Sequence, residues 1–179
     1  IEKLVTLIEN LLDFSRLHRG DEELLFDRFD LLHCARTSIQ IVQPVAGSRK
    51  ISLTLRPPQR ADSSLVSEVI VDGDKGKLGQ VFNNLLSNAV KFNRNGGTVT
   101  LDSHLHDESV EVSVADTGIG MPPQALDKVF TRFYQYDASS TRKYGGTGIG
   151  LSISQDIIRL HGSSIVVNSE FGKGSTFRF

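Results

Sequence analysis

The sequence predicts an α/β fold in which a layer of helices covers one face of a β-sheet. Apolar residues recur at helical spacing in three segments, near residues 31–45, 74–89 and 147–161. Apolar and polar residues alternate near 99–105 and 110–116, as they do in strands with one buried face. Because each kind of element has one face to bury, helices and strands form one layer each of a two-layer sandwich.

The chain opens inside a helical pattern that is separate from these elements. Apolar residues recur three and four positions apart from Ile1 to Leu12, and Gly20 then supplies a stop signal. We predict that residues 1–20 are the end of a longer helix that packs on a second helix in a dimer. Residues 21–179 then form the main domain. The alternative is a helix that folds back onto its own domain.

Periodicity and turn residues delimit the elements of the first half of the main domain. Asp30 is a typical N-cap for the first long helix, and Gly47 would end that helix. Alternation predicts a half-buried strand from Ile51, and two prolines then open a loop. The predicted elements are a strand over 24–29, a helix from about 31 to 45, a strand over 51–56, a loop over 57–67 and a short strand over 69–71.

Asp74 caps the predicted central helix, whose apolar residues recur at offsets of three, four, seven, eight and eleven from Leu78. That spacing predicts a broad buried face. In the strand that follows, Val99, Leu101 and Leu105 share one face. The remaining predicted elements are a strand over 110–116, a helix from Pro122 to Phe130, an irregular loop over 131–147, a helix over 147–161 with Leu160 facing inward, and strands near 164–169 and 174–179.

Composition excludes several classes of protein. A formal net charge of −1 over 179 residues gives no electrostatic argument for a nucleic-acid partner. The single cysteine, Cys34, cannot form an internal disulfide and suits a reducing compartment, so we expect a cytoplasmic location. No apolar run approaches the roughly 20 residues that span a membrane. We therefore expect any membrane attachment to lie outside this sequence.

Polar side chains share one flank of the predicted central helix. Asn84 and Asn88 are four residues apart, and Lys91 lies about one turn further along. Mg²⁺ prefers oxygen ligands and often takes only one or two from the protein when phosphates supply others. Amide oxygens suit that role, and Lys91 could meet a phosphate as a point charge. For the two asparagines alone, a solvated helix surface is the alternative interpretation.

Asp116 stands at the end of a strand with the parity of its buried valines, so its carboxylate is predicted to face inward. An unpaired buried charge is costly, so this carboxylate needs a partner. An ionised carboxylate only accepts hydrogen bonds, and it would select the amino group of adenine over the carbonyl of guanine. Gly118 and Gly120 would let a base approach the backbone closely. Asp-Thr-Gly alone also occurs in ordinary turns and in aspartic proteases.

A glycine-rich run at 145–151 opens the last predicted helix. Free backbone amides and the helix dipole attract phosphate at such a position. The run looks like a dinucleotide-binding fingerprint, but that motif directly follows a strand, whereas a long polar loop precedes this run. Arg132, Arg142 and Lys143 flank the loop and could follow phosphates, with a solvated basic loop as the alternative.

Together these segments resemble the catalytic, ATP-binding part of the sensor histidine kinases of two-component signalling. Residues 84–92 resemble the N box, 116–120 the first glycine box, 130–134 the F box and 145–151 the second glycine box. Residues 11–17 resemble the end of the second helix in the family's dimerisation and phosphotransfer hairpin. The resemblance implies the ATP-binding fold shared with gyrase, a heat-shock chaperone and mismatch-repair ATPases, with a mixed sheet covered on one face by helices.

The resemblance also implies roles for individual residues. Asn88 would be the magnesium ligand, and Asn84, Lys91 and Arg142 would act in catalysis. Residues 131–147 would form the ATP lid. The residues implied in binding ATP are Asn84, Asn88, Lys91, Phe92, Asp116, Gly118, Ile119, Gly120, Arg132, Gly145, Gly146, Thr147, Gly148, Ile149, Gly150, Leu151 and Ser175. The last of these has an inward parity in its strand and would join the adenine through a water.

The phosphoacceptor histidine of the family is expected upstream of Ile1, and none of the five histidines of this chain replaces it. The implied partners are therefore the protein's own dimerisation helices, in a homodimer, and the receiver domain of a response regulator. Asn84 stands where related ATPases have a glutamate that activates water, so fast hydrolysis is not expected. An ATPase that drives conformational change and a nucleotide-sensing pseudokinase are the alternatives.

Overall fold

A computed structural model describes residues 23–58, 65–136 and 147–179 of the chain. The helix predicted over 1–20 lies outside these ranges. The described helices are α1 Leu31–Ser48, α2 Lys75–Lys91, α3 Pro123–Leu126 and α4 Gly150–Leu160. The described strands are β1 Asp27–Asp30, β2 Ser52–Arg56, β3 Ile70–Gly73, β4 Thr98–Leu105, β5 Val110–Asp116, β6 Val166–Glu170 and β7 Gly174–Arg178.

The main sheet has five strands in the order β2-β4-β5-β7-β6. β2 pairs with β4 in parallel, and the other three pairings are antiparallel. β1 and β3 form a separate antiparallel pair. A mixed sheet packed with helices confirms the predicted α/β sandwich. The sheet brings the end of β5 beside the start of β7, two segments about sixty residues apart in the chain.

The core lies between the sheet and helices α1, α2 and α4. The six apolar residues predicted on the inner face of α2 are all buried, which confirms the periodicity argument. The sheet contributes alternate residues to the same core, and Val114 at its centre is fully buried. Burying a large apolar side chain stabilises a fold by roughly 1.5–3 kcal/mol, so this layer anchors α2 firmly against β4 and β5.

Both predicted N-caps are confirmed. The Asp30 carboxylate accepts hydrogen bonds from the N–H groups of Leu32 and His33, and the Asp74 carboxylate accepts one from Lys77. These bonds satisfy N–H groups that the first turn of a helix leaves unpaired. The predicted end of α1 was early, because Gly47 stays helical. The chain instead reverses at Lys50, which adopts a left-handed φ of 54°.

Several other element ends differ from prediction. The helix expected from Pro122 to Phe130 is only four residues long. After it, backbone hydrogen bonds between residues three apart, such as Thr131 N–H to Lys128 O, replace the α-helical bonds between residues four apart. The last helix starts at Gly150 because Gly148 adopts a φ of 70°, which no α-helix allows. Leu160 is 47% exposed, so its predicted inward orientation was wrong. Leu105 is on the same strand face as Val99 and Leu101, as predicted, but it is exposed at the strand end.

Cys34 is buried among apolar residues, and burial raises the pKa of its thiol. The thiol therefore behaves as the small hydrophobic group that composition suggested. Within residues 23–58, 65–136 and 147–179, every helix is too short or too polar to cross a membrane.

Candidate functional site

One cavity of about 800 Å³ joins the segments that the sequence singled out. It lies between the polar flank of α2, the loop that follows β5 and the start of α4. Its lining includes Asn84, Asn88 and Lys91 on α2, together with Asp116 at the end of β5. Asp116 and Asn88, which sequence reasoning assigned to the two ends of one ligand, therefore share a single cavity.

The two asparagines meet as the helical spacing predicts. The side-chain amide of Asn88 donates to Asn84 Oδ1 at 3.4 Å, and the amide of Asn84 donates to Ser154 Oγ on α4 at 2.7 Å. The amide nitrogen of Asn88 is thus directed at its neighbour, which leaves its carbonyl oxygen for a ligand. Gly150 lies so close to Asn84 that a Cβ there would collide with the Asn84 side-chain oxygen. Glycine at 150 therefore allows α4 to start against α2.

Lys91 stands at the end of α2 with its ammonium 4.5 Å from the centre of the Phe92 ring. A cation over an aromatic face is held by the ring's electrostatic field. The side chain is half-buried, and loss of water lowers the pKa of Lys91. An anionic ligand in the cavity would restore the interactions that water no longer supplies.

Asp116 is paired across the sheet with Val99 on β4 and Ser175 on β7. Burial raises the pKa of this carboxyl, while the backbone N–H groups of Gly118 and Ser175 stabilise its charged form and oppose that shift. The Gly118 bond to Asp116 Oδ1 is 2.7 Å long. The predicted inward orientation is confirmed, and backbone donors supply the partners that a buried carboxylate needs.

The loop after Asp116 is fastened to the end of α2. Ile119 donates its N–H to the Phe92 carbonyl at 3.0 Å, and a Cβ at Gly118 would collide with that same carbonyl oxygen. Gly120 has a φ of 62° and lies against the backbone of Glu170. The glycines at 118 and 120 therefore serve close contact between segments of backbone.

The described part of the glycine-rich run borders the cavity. Thr147, Gly148, Gly150 and Leu151 are among the lining residues, whereas Ile149 is buried in the core. The three other members of the predicted site in this region, Arg142, Gly145 and Gly146, lie outside the described residues, as does Lys143.

Arg132 was predicted to bind the ligand, which stays a prediction; among the described residues it forms an ion pair with a residue of α4. Its guanidinium is 3.4 Å from Asp156 Oδ2 on α4 and lines a separate groove with Arg159. The sequence could not indicate this pairing, because residues 132 and 156 are brought together only by the packing of α4. In this structure Arg132 is not among the residues that line the cavity.

Several lining residues were missed by sequence reasoning, among them Gln80, Tyr134, Tyr136 and Phe171. Gln80 stands four residues before Asn84, so the same helical spacing could have identified it. Phe171 is 67% exposed on the turn between β6 and β7. It reaches the cavity because Gly172 donates its N–H to the Ile119 carbonyl at 2.7 Å, a contact without a local sequence signal.

Comparison with known proteins places these observations in a family. Residues 73–179 match the profile of "Histidine kinase-, DNA gyrase B-, and HSP90-like ATPase". The circadian input-output histidine kinase CikA of Synechococcus elongatus is 36% identical over 178 residues, covering 98% of this chain and 23% of the relative. The sensor histidine kinase WalK of Bacillus subtilis is 35% identical over 185 residues, covering 99% of this chain and 28% of the relative. The chain thus spans less than a third of the length of either relative.

Solved structures agree with the sequence matches. Full-length ShkA in complex with AMPPNP superposes with a TM-score of 0.83 at 31% identity, covering 99% of this chain and 35% of that one. The catalytic domain of the histidine kinase ThkA superposes with a TM-score of 0.70 at 25% identity, covering 86% of this chain and 93% of that one. ThkA in complex with the response regulator TrrA shares the fold at 23% identity, with a TM-score of 0.73 over 99% of this chain and 47% of that one.

Proposed function

Because the chain belongs to the family of histidine kinase-, DNA gyrase B- and HSP90-like ATPases, we propose that it transfers the γ-phosphate of ATP to a histidine. It is a catalytic ATPase domain of the histidine-kinase type. The acceptor histidine belongs to a dimerisation helix of the same protein, and the phosphoryl group passes from it to an aspartate of a response regulator. The catalytic domain comprises residues 21–179, and residues 1–20 end a dimerisation helix.

The observation that carries this proposal is that Asp116 and Asn88 line the same cavity. Asp116 offers a hydrogen-bond acceptor, as an adenine amino group requires. Asn88 and Lys91 offer an amide oxygen and a cation in the same cavity, as a magnesium-bearing triphosphate requires. The cavity of about 800 Å³ is large enough for a nucleotide.

Asn88 would hold the magnesium ion through its carbonyl oxygen, with Asn84 orienting it. The donor set fits Mg²⁺, because a neutral amide oxygen suffices where phosphates and waters supply the other ligands. When bound, the ion neutralises charge on the phosphates as the phosphoryl group leaves. Lys91 adds a point charge at the same end, and the start of α4 offers backbone N–H groups. We assign Arg142 to the same charge-neutralising role.

Transfer to a protein group is favoured over hydrolysis by the character of the lining. Among the described residues of the cavity wall, Asp116 is the one carboxylate, and two backbone N–H groups hold it at the proposed base end. Near the phosphate end Asn84 supplies an amide, which cannot take a proton from water. The cavity therefore positions and neutralises phosphate without activating a water molecule.

The acceptor histidine is expected from another part of the protein. His33, His104 and His106 are exposed, and none of the described histidines lines the cavity. Since ATP and response regulators are found in the cytoplasm, we place the domain there. Any attachment to a membrane would be made by other parts of the protein.

Phosphotransfer to a supplied hairpin tests the proposal. The chain is incubated with Mg²⁺ and ATP labelled at the γ-phosphate, together with a dimerisation hairpin from a histidine kinase of this family. We expect label on the hairpin that is lost in acid and kept in base, as for phosphohistidine, and no label on a matched hairpin with His→Gln. Steady release of phosphate without hairpin would instead indicate an ATPase. ATP binding without transfer or release would indicate a nucleotide sensor.

A further inference from the structure

A row of three side chains crosses the inner face of the sheet at the base end of the cavity. Asp116 on β5 is paired with Ser175 on β7, and Ser175 is paired with Ser169 on β6. Residues paired across antiparallel strands point to the same face of a sheet. Asp116 and Ser175 line the cavity, whereas Ser169 stands one strand further away and does not. Ser169 can therefore affect a ligand only through neighbours that line the cavity, of which Ser175 is the one paired with it across the strands.

The hydroxyl of Ser169 has three hydrogen-bond partners. The Met121 N–H donates to Ser169 Oγ at 2.8 Å, the Gly174 carbonyl lies 2.8 Å from the same oxygen, and Ser175 Oγ lies 3.0 Å away. A serine hydroxyl has one proton and can accept two hydrogen bonds. A carbonyl can only accept, so the Ser169 proton goes to Gly174. The remaining lone pair of Ser169 then accepts the proton of Ser175.

This arrangement fixes the direction of the Ser175 hydroxyl. Since its proton points to Ser169, Ser175 turns only lone pairs toward the cavity, beside the carboxylate of Asp116. The end of the cavity thus offers two acceptors and no hydroxyl donor. A water that donated to both groups would keep only lone pairs for a ligand, so the chemistry presented would be the same.

We propose that Ser169 is a positioning residue that sets base specificity, by holding Ser175 as an acceptor for the amino group of adenine. The proposal rests on binding of an adenine nucleotide in this cavity, as argued above. A purine with a carbonyl at position 6 needs a donor there and finds none. If Ser169 is lost, the Ser175 proton is released and can turn toward such a carbonyl.

The affinities for ATP and for inosine triphosphate (ITP) test this role, because ITP carries a carbonyl in place of the amino group at position 6. Both dissociation constants are measured by calorimetry for the 179-residue chain and for Ser169→Ala. Ser169→Ala is expected to lower the ratio of the ITP constant to the ATP constant about fivefold, the size of one redirected hydrogen bond. Ser169→Thr keeps the hydroxyl and should keep the ratio of the unmodified chain.

Ser103→Ala is a matched control, because Ser103 is a buried serine on a strand and lies outside the cavity. Its hydroxyl donates a hydrogen bond to the Arg56 carbonyl. The substitution should leave the ratio unchanged. A double variant shows whether the effect passes through Ser175. In a chain that already carries Ser175→Ala, adding Ser169→Ala should not change the ratio of the two dissociation constants any further.

Three results would overturn the proposal. If Ser169→Ala weakens ATP and ITP by the same factor, Ser169 only holds the chain between Met121 and Gly174. If Ser169→Ala still lowers the ratio without Ser175, the effect does not pass through Ser175. If the unmodified chain binds neither triphosphate, the proposed function itself fails. If the unmodified chain binds ATP but Ser169→Ala leaves the ratio of the ITP and ATP dissociation constants unchanged, only the role of Ser169 is refuted and the proposed function stands.

Discussion

At Asp116, burial opposes the negative charge that the proposed recognition of adenine needs. Removal from water raises the pKa of its carboxyl, and two backbone N–H groups hold the charged form in place. Both N–H groups need an oxygen of Asp116 as acceptor, and the ionised carboxylate has two oxygens that accept. The negative charge is therefore retained by the local backbone, and the carboxylate can still accept from a ligand.

Asp116→Asn is expected to weaken ATP binding at least about tenfold, the loss typical of a hydrogen bond to a charged group. An asparagine has one oxygen for the two backbone donors of Gly118 and Ser175, so its NH₂ group either opposes one of them or faces the adenine amino group. Calorimetric titration with ATP measures the effect, and the urea midpoint serves as a check on folding. Undiminished affinity in a folded variant would contradict recognition of the base by Asp116.

Asn88→Ala tests the metal ligand separately from the base. We expect a larger loss of ATP affinity with Mg²⁺ than with the metal removed by a chelator, because only the first condition uses the Asn88 oxygen. Ser87→Ala, one residue earlier and also in the cavity wall, should weaken binding little in either condition. Equal losses for Asn88→Ala with and without metal would show that Asn88 is not the ligand.

At the scale of elements, the C-terminal end of α2 carries Lys91 and Phe92 and is fixed from outside the helix. The Arg49 guanidinium donates to the carbonyls of Val90 at 2.5 Å, Lys91 at 2.9 Å and Asn93 at 2.5 Å. The last carbonyls of a helix have no partner within it. One planar side chain with several donors bonds the last two carbonyls of α2 and the Asn93 carbonyl just beyond it, so it holds the end of α2 in a single geometry.

Arg49→Lys is expected to lower the free energy of unfolding by about 1–2 kcal/mol, because a single ammonium cannot span the three carbonyls that Arg49 bonds. ATP affinity should fall as well, since Lys91 and Phe92 would lose their fixed position. Urea denaturation measures the first effect and calorimetry the second. In contrast, Arg28→Lys alters an ion pair with Asp72 in which both side chains are about three-quarters exposed, so both quantities should stay nearly unchanged.

At the scale of the whole molecule, the predictable features were those with a local cause. The N-caps at Asp30 and Asp74 and the buried face of α2 follow from a few adjacent residues, and the structure confirms them. The contacts of Arg132 and Ser169 depend on how distant elements are packed and registered. Sequence periodicity carries no information on such a pairing, so the partner of Arg132 and the position of Ser169 could be found only from the fold.

The bond between the Ile119 N–H and the Phe92 carbonyl has a consequence for how a nucleotide would be held. It ties the loop after Asp116, the proposed base reader, to the helix that bears Asn88 and Lys91, so the groups proposed to hold the two parts of the ligand are joined directly. A nucleotide with a different spacing between base and phosphates would have to bind in a strained conformation. The start of α4 is held against the same helix by the bond from Asn84 to Ser154, so three walls of the cavity share one framework.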